Sequence, residues 1–343
     1  MSSPAPYPFP ASEGPIAEVW SPTAQSGVDA FIERHSARLE NRLARVSADL
    51  GSGVGGLPDV IARAVGTDGR GGRRWRPLLT LAAAEATGAA GESEEAVLDV
   101  AVAVELTHTA SLVLDDMPCM DDSASRRGEP ATHRLVGSAG AILLSVGMLA
   151  RAVELLGGHD RAGGSVCEQW GRAIGLHGMA GGQAMDVTAK GPLRGSARRL
   201  HRAKSSLLPA FALASGAKAA GADAGTCAGL DSFGRSLGWA YQLLDDVEDL
   251  EEDARLGRAT SGLHPLALSR RIMRRAYRRL RRQPGLDEGG REILIGLAGR
   301  VVMSEASLGS VVSTTTSAAT RIPRLAAGRD RASSGERIGQ GRR

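Results

Sequence analysis

The sequence predicts an all-α protein. Alanine- and leucine-rich runs of about fifteen to thirty residues follow one another from about Val28 onward, and these residue types lose little on entering a helix. No β-branched segment alternates apolar and polar residues as a half-buried strand would. Ser93-Glu94-Glu95 then offers an N-cap followed by first-turn acids at the head of a strongly apolar run. Residues 1–26 hold six prolines, four of them in alternation at Pro4, Pro6, Pro8 and Pro10, which cannot build a helix and favour an extended arm. Helices are expected over about 75–88, from Ser93 to about Asp116, and over 138–156, 166–189, 196–219, 224–253 and 264–282. The second of these should be central, because Val100-Ala101-Val102-Ala103-Val104 leaves it apolar nearly all round. Glycines at 171, 175, 178, 181 and 182 are unusual inside a helix and suggest close packing or ligand approach. From about Gly328 a tail of glycine, serine and arginine has a disordered composition. The expected organisation is an arm at 1–26, one helical domain at 27–327 and a basic tail at 328–343.

Composition narrows the function. With 343 residues and 42% apolar content the chain supports one large core. Only 3% of residues are aromatic, so few ring side chains are available to plug a deep pocket. Cys119, Cys167 and Cys227 have no close spacing and read as free thiols of a reducing cytosol, neither a disulfide framework nor a zinc site. The amino-terminal stretch lacks a basic-then-apolar leader and no segment offers eighteen uninterrupted apolar residues, so a cytoplasmic protein without a transmembrane segment is expected. The net charge of +4 is misleading about partners. Residues 321–343 carry a net +5 and residues 268–282 hold eight arginines without an acid, which leaves −9 on the remainder. An acidic body with two local basic features does not describe a nucleic-acid-binding protein.

The chemistry concentrates in two carboxylate clusters, Asp115-Asp116-Met117-Pro118-Cys119-Met120-Asp121-Asp122 and Asp245-Asp246-Val247-Glu248-Asp249. Clustered carboxylates beside apolar helices repel one another and resist desolvation, a conflict that divalent cations resolve. Asp245 and Asp249 are four apart and share a helix face, with Asp246 beside them. Asp115 and Asp121 are six apart, roughly 240° round an ideal helix, but Pro118 interrupts the helix and lets Asp121 return toward the metals. Arg126-Arg127-Gly128 adds bidentate cations, and Mg²⁺ together with arginine is what a diphosphate requires.

These clusters, with Gly71-Gly72-Arg73-Arg74-Trp75-Arg76-Pro77, Glu105-Leu106-Thr107-His108, Gly182-Gln183-Ala184-Met185-Asp186, Lys204-Ser205 and Tyr241-Gln242, resemble the trans-isoprenyl diphosphate synthases, particularly the geranylgeranyl diphosphate synthases of bacterial carotenoid pathways. The resemblance implies an isoprenoid synthase fold, a helical bundle around a central cavity. It also implies about three Mg²⁺, for which Mn²⁺ could substitute, held by Asp115, Asp116, Asp121, Asp245 and Asp249. Asp246 would be catalytic beside them, and Lys204 and Gln242 would stand near the allylic diphosphate, to which Arg126 would also bind. Arg73, Arg76, His108 and Arg127 would bind isopentenyl diphosphate, and the protein would be a homodimer. His108 lies two turns before Asp115 and so shares its face.

The implied reaction is ionisation of an allylic diphosphate followed by attack of isopentenyl diphosphate. Small residues at Ala110 and Ser111, five and four positions before the first aspartate and roughly 5.4 Å down the wall, with Thr107 a turn deeper, suggest a twenty-carbon product. The floor would then come from Leu143, Leu144 or Met148. Arg73 and Gly257-Arg258 replace the family's usual lysines, the aspartate that normally follows is missing from residues 259–262, and Ser205 replaces a threonine. These changes bear on binding more than on the reaction. A farnesyl or longer-chain synthase is the nearest alternative. A class I terpene cyclase lacks the paired arginine motifs, and a non-catalytic partner subunit would have lost an aspartate cluster.

Overall fold

A computed structural model describes residues 22–52, 55–69, 71–88, 94–159, 163–188, 196–255 and 265–306. The expected tail, Gly257-Arg258 and most of the expected arm lie outside these residues. The first helix, α1, spans Pro22–Gly51, so residues 22–26 belong to it and not to the arm. Proline is tolerated in a first helical turn, where its missing N–H has no partner to lose. Next come α2 (Leu57–Val65), α3 (Trp75–Ala86) and α4 (Glu94–Asp115).

A two-residue antiparallel ladder, β1 (Ser125–Arg126) with β2 (Glu129–Pro130), turns the chain into α5 (Thr132–Gly157). Its turn residues Arg127 and Gly128 both have positive φ. Inside α5, Gly137 (φ +71°) separates a short first turn from the long segment that follows, and this long segment is the helix expected at 138–156. After α6 (Gly163–Ile174) and α7 (Met179–Thr188) come α8 (Ser196–Ala219), α9 (Ala224–Arg255), α10 (Pro265–Leu280) and α11 (Glu288–Ala306).

The single helix expected over 166–189 is two. The glycines mark a break: a Cβ on Gly178 would stand 2.0 Å from the Ala173 carbonyl oxygen. The Gly178 N–H instead donates to Gly175 O at 2.8 Å.

Helix α4 is central, as its all-round apolar character requires, and packs against α3, α5 and α8. Helices α8 and α9 form the most extensive pair. Their approach depends on absent side chains, since a Cβ on Gly238 would lie 2.4 Å from Ser205 O and 2.6 Å from Ser206 Cα. That contact sets α9 against Ser205 about two turns before the second aspartate cluster. Both α4 and α5 are long and apolar enough to cross a membrane by length and composition, but α4 is a core helix and α5 buries one face. The other face of α5 leaves Ile142, Leu143, Val146 and Val153 exposed.

Candidate active site

A cavity of about 1710 Å³ opens among α3, α4, α7, α8, α9 and the β1–β2 turn. Its two banks carry opposite charge. The acidic bank begins where α4 stops at Asp115. Pro118 has no N–H to continue the helical bonding, so the chain doubles back. Asp121 N–H then donates to Asp115 O at 2.9 Å, and Asp122, at φ +47°, donates its N–H to Met117 O. The six-residue spacing thus returns Asp121 toward Asp115, as expected from Pro118. Burial, with Asp121 and Asp116 adding repulsion, pushes the Asp115 carboxyl up to about 6 despite the nearby Lys204 and Arg126.

Asp116 behaves differently from its neighbour. It is buried, and both its oxygens accept from Arg126, Nε at 3.1 and 3.0 Å together with Nη2. Asp116 thereby positions Arg126 at the acidic bank. A bidentate guanidinium occupies it and is in turn aimed by it. Asp245, Asp246 and Asp249 are on α9, but their side chains lie outside the described residues. Among the described residues no three ligating side chains form a complete cage.

The cationic bank comes from α3, α4 and the β1–β2 turn. Arg76 stands 4.0 Å from the Trp75 ring centroid, and Trp75 stacks on Tyr241 at 5.8 Å. Arg76 Nη1 donates to His108 Nε2 at 2.8 Å. An arginine only donates, so His108 is the neutral tautomer protonated at Nδ1. Burial, followed by Arg76, Arg127, Arg126 and Arg74, pushes its pKa well below the usual imidazole value. Arg127 forms no ion pair with a described residue. Burial and the cations Arg74, Arg126 and Arg73 lower its hold on its proton, against the pull of Glu105. Arg73 is exposed at the cavity edge.

Arg74, between Arg73 and the ring of Trp75, faces the other way. At φ +49° it turns inward, donating to Glu40 at 2.7 Å, Glu105 at 2.6 Å and the Val65 carbonyl at 2.6 Å. Burial opposes its charge, but Glu105 and Glu40 outweigh that and hold it protonated. Sequence reading missed Glu40, which is 34 positions away from Arg74 and has no local signal.

On the far wall, Lys204 Nζ pairs with Asp186 at 3.0 Å, and the Ser205 hydroxyl donates to Gln242 Oε1. Lys204, Ser205 and Gln242 all line the cavity. Of the expected chain-length residues, Ser111 and Thr107 line it but Ala110 does not. Ala110 is fully buried in the core. Helix geometry explains the split: four residues before Asp115 is about 40° from its face, whereas five is about 140° away. The expected floor also moves. Leu143 is 69% exposed and Leu144 and Met148 pack in the core, while Leu149, Ile174 and Met179 line the cavity. Trp170 Nε1–H donates to Thr107 Oγ1 at 2.9 Å and fixes the deepest of the α4 wall positions.

A cavity with a carboxylate bank, a guanidinium bank and an apolar wall between defines a class of protein that binds two anionic groups and an aliphatic chain. Comparisons with known proteins agree. The polyprenyl synthetase model matches residues 61–261. A farnesyl diphosphate synthase of Geobacillus stearothermophilus is 36% identical over 236 residues, covering 66% of this chain and 77% of the relative. A geranylgeranyl diphosphate synthase of Pseudescherichia vulneris is 40% identical over 191 residues, covering 52% and 60%. The chain thus spans about three fifths of that second relative. Among solved structures, a geranyltransferase of Helicobacter pylori aligns with TM-score 0.68 at 26% identity, over 82% of this chain and 98% of that one. A Caulobacter crescentus polyprenyl synthase complexed with calcium and isoprenyl diphosphate aligns with TM-score 0.65 at 26% identity, over 80% and 97%. The fold is that of the isoprenoid synthases. The chain belongs to the polyprenyl synthetase family, whose members are prenyltransferases acting on isoprenyl diphosphates.

Proposed function

We propose that this chain is a geranylgeranyl diphosphate synthase, joining isopentenyl diphosphate head to tail with farnesyl diphosphate and shorter allylic primers. The observation that carries the reading is the separation of the two banks within one cavity. Arg126 is bound to Asp116 beside Asp115 and Asp121, whereas Arg127 stands among Arg73, Arg74 and Glu105. Two diphosphates therefore have separate seats.

The donor set fits Mg²⁺: hard carboxylate oxygens, with burial and the neighbouring Asp121 and Asp116 opposing the charge on Asp115 more than Lys204 and Arg126 relieve it. Asp115, Asp116 and Asp121, with Asp245 and Asp249, would hold it, and Mn²⁺ would substitute. When bound, the metal supplies Lewis acidity to the departing diphosphate. Arg126 and Lys204 orient the allylic diphosphate, while Arg73, Arg76, His108 and Arg127 orient isopentenyl diphosphate. Neutral His108 offers a single N–H donor, at Nδ1. The aromatic pair Trp75 and Tyr241 and the apolar wall at Leu112 and Leu208 keep water from the allylic carbons. No side-chain nucleophile is needed.

The twenty-carbon product is supported by the small side chains of Ser111 and Thr107 on the cavity wall. Farnesyl diphosphate is the second reading, supported by the Geobacillus relative. The exposed apolar face of α5 supports a homodimer, and the setting is cytoplasmic. The test is to incubate the purified chain with isopentenyl diphosphate and each allylic primer, with Mg²⁺ or with chelator, and to separate the dephosphorylated alcohols. Geranylgeraniol formed only with metal is expected. Farnesol as the main alcohol would move the floor upward, and cyclic hydrocarbons would overturn the synthase reading.

A further inference from the structure

A second concavity, of about 810 Å³, lies between α9 and α10 and shares no lining residue with the active-site cavity. From α10 and the turn after it come Arg275, Arg278, Arg279 and Arg282, spaced so that all four share one helix face. From α9 come Ser232 and Ser236, one turn apart, with Gly229 a turn earlier. Gln283 folds over Gly229, where a Cβ would be 2.0 Å from its Oε1, and closes one end by donating to Gly225 O at 3.3 Å. The floor is apolar, formed by the buried Phe233, Ala276 and Leu280.

Among the described residues no acid lines this groove, and none of the four arginines forms an ion pair with a described residue. Asp231 and Glu292 are committed elsewhere, Asp231 to Arg235 at 2.6 Å and Glu292 to Arg281 at 3.7 Å. The helix dipole favours Arg278 and Arg279 in the last turn of α10. It does not favour Arg275 a turn earlier, and like charges four apart repel one another. Four guanidiniums and two hydroxyls lining one concavity match a chain of phosphates, each offering several acceptor oxygens.

We propose that the α9–α10 groove is a second anion site, binding a compact oligophosphate independently of the metal-dependent cavity. Inorganic triphosphate and the phosphate chain of a nucleotide present the same chemistry to these arginines.

Calorimetric titration of the full chain in chelator with inorganic triphosphate tests this. The expected result is a binding event that persists in Arg127→Gln and weakens about tenfold or more in Arg275→Gln/Arg279→Gln, while kcat and KM for prenyl transfer stay unchanged in the double variant. Ser236→Asp, which sets a carboxylate opposite the arginines, should abolish the same event without removing any arginine. A parallel titration with ATP names the source: equal affinity assigns the phosphate chain alone, and tighter binding assigns a nucleotide. Unchanged triphosphate binding in both groove variants would overturn the site. So would loss of binding to phosphatidylglycerol vesicles or to single-stranded RNA with triphosphate binding intact.

Discussion

Arg74 and Arg76 are two positions apart in one motif and do opposite work. Arg76 points into the cavity, where it bonds His108 and lies against Trp75, whereas Arg74 is 1% exposed and ties Glu40 and Glu105 together. The resemblance assigned Arg76 and not Arg74 to a diphosphate, but Arg74's own role was not legible, because it depends on the positive φ of Arg74 and on a partner in a distant helix. Removing a buried charge partner strands the other charges, so Arg74→Ala should cost about 3–5 kcal/mol in denaturant unfolding. The same logic separates Ser111 from Ala110. Ser111→Tyr places a ring in the cavity and should shift the main product toward farnesyl diphosphate. Ala110→Tyr overpacks the core and should lower unfolding stability by about 1–3 kcal/mol. Product chromatography and thermal melts of the two variants, measured side by side, check this assignment. An unshifted product from Ser111→Tyr would show that the growing chain takes another wall.

Among the elements, long periodic helices were the most legible. The sequence expectation of 196–219 matches α8 at Ser196–Ala219, and the expected central helix is α4. The break between α6 and α7 was visible as glycines but was read as packing within one helix. The same residue permits both, and only the backbone clash at Gly178 decides. The two-residue β ladder was not foreseen, since so short a pairing has no periodicity. Close approach also governs α8 and α9. Gly238→Ala would force its Cβ against the Ser205 and Ser206 backbone, which cannot move aside as a side chain can. A loss of about 1–3 kcal/mol is expected. Turnover should fall as well, because Gln242 and Asp245 follow within two turns. Full activity together with unchanged stability would show that the helices are free to separate.

For the whole molecule, the acidic body makes sense as a scaffold that concentrates carboxylates at one cavity mouth and answers them with a cationic wall. The cavity lies where the first aspartate cluster ends α4, and the second cluster's side chains lie outside the described residues. The division of labour within the first cluster was not legible in the sequence, because Asp115 and Asp116 are adjacent in sequence and differ only in which side of the α4 terminus each one faces.

The raised pKa of Asp115 gives a sign for stability. Its folded value of about 6 exceeds the ordinary 3.8, so the metal-free fold holds this proton more tightly than the unfolded chain. That contribution to stability is present at low pH and is lost as pH rises from about 4 to 6. Mg²⁺ requires the ionised carboxylate, so the rise in melting temperature on adding Mg²⁺ should be larger at pH 7.5 than at pH 5. An equal rise at both would detach Asp115 from the metal.

The central claim is that the two diphosphates sit on separate banks, and steady-state kinetics of Arg127→Gln tests it most directly. With both substrates varied, KM for isopentenyl diphosphate should rise about tenfold or more while KM for the allylic diphosphate stays within about twofold. A rise confined to the allylic substrate, or equal for both, would contradict the account.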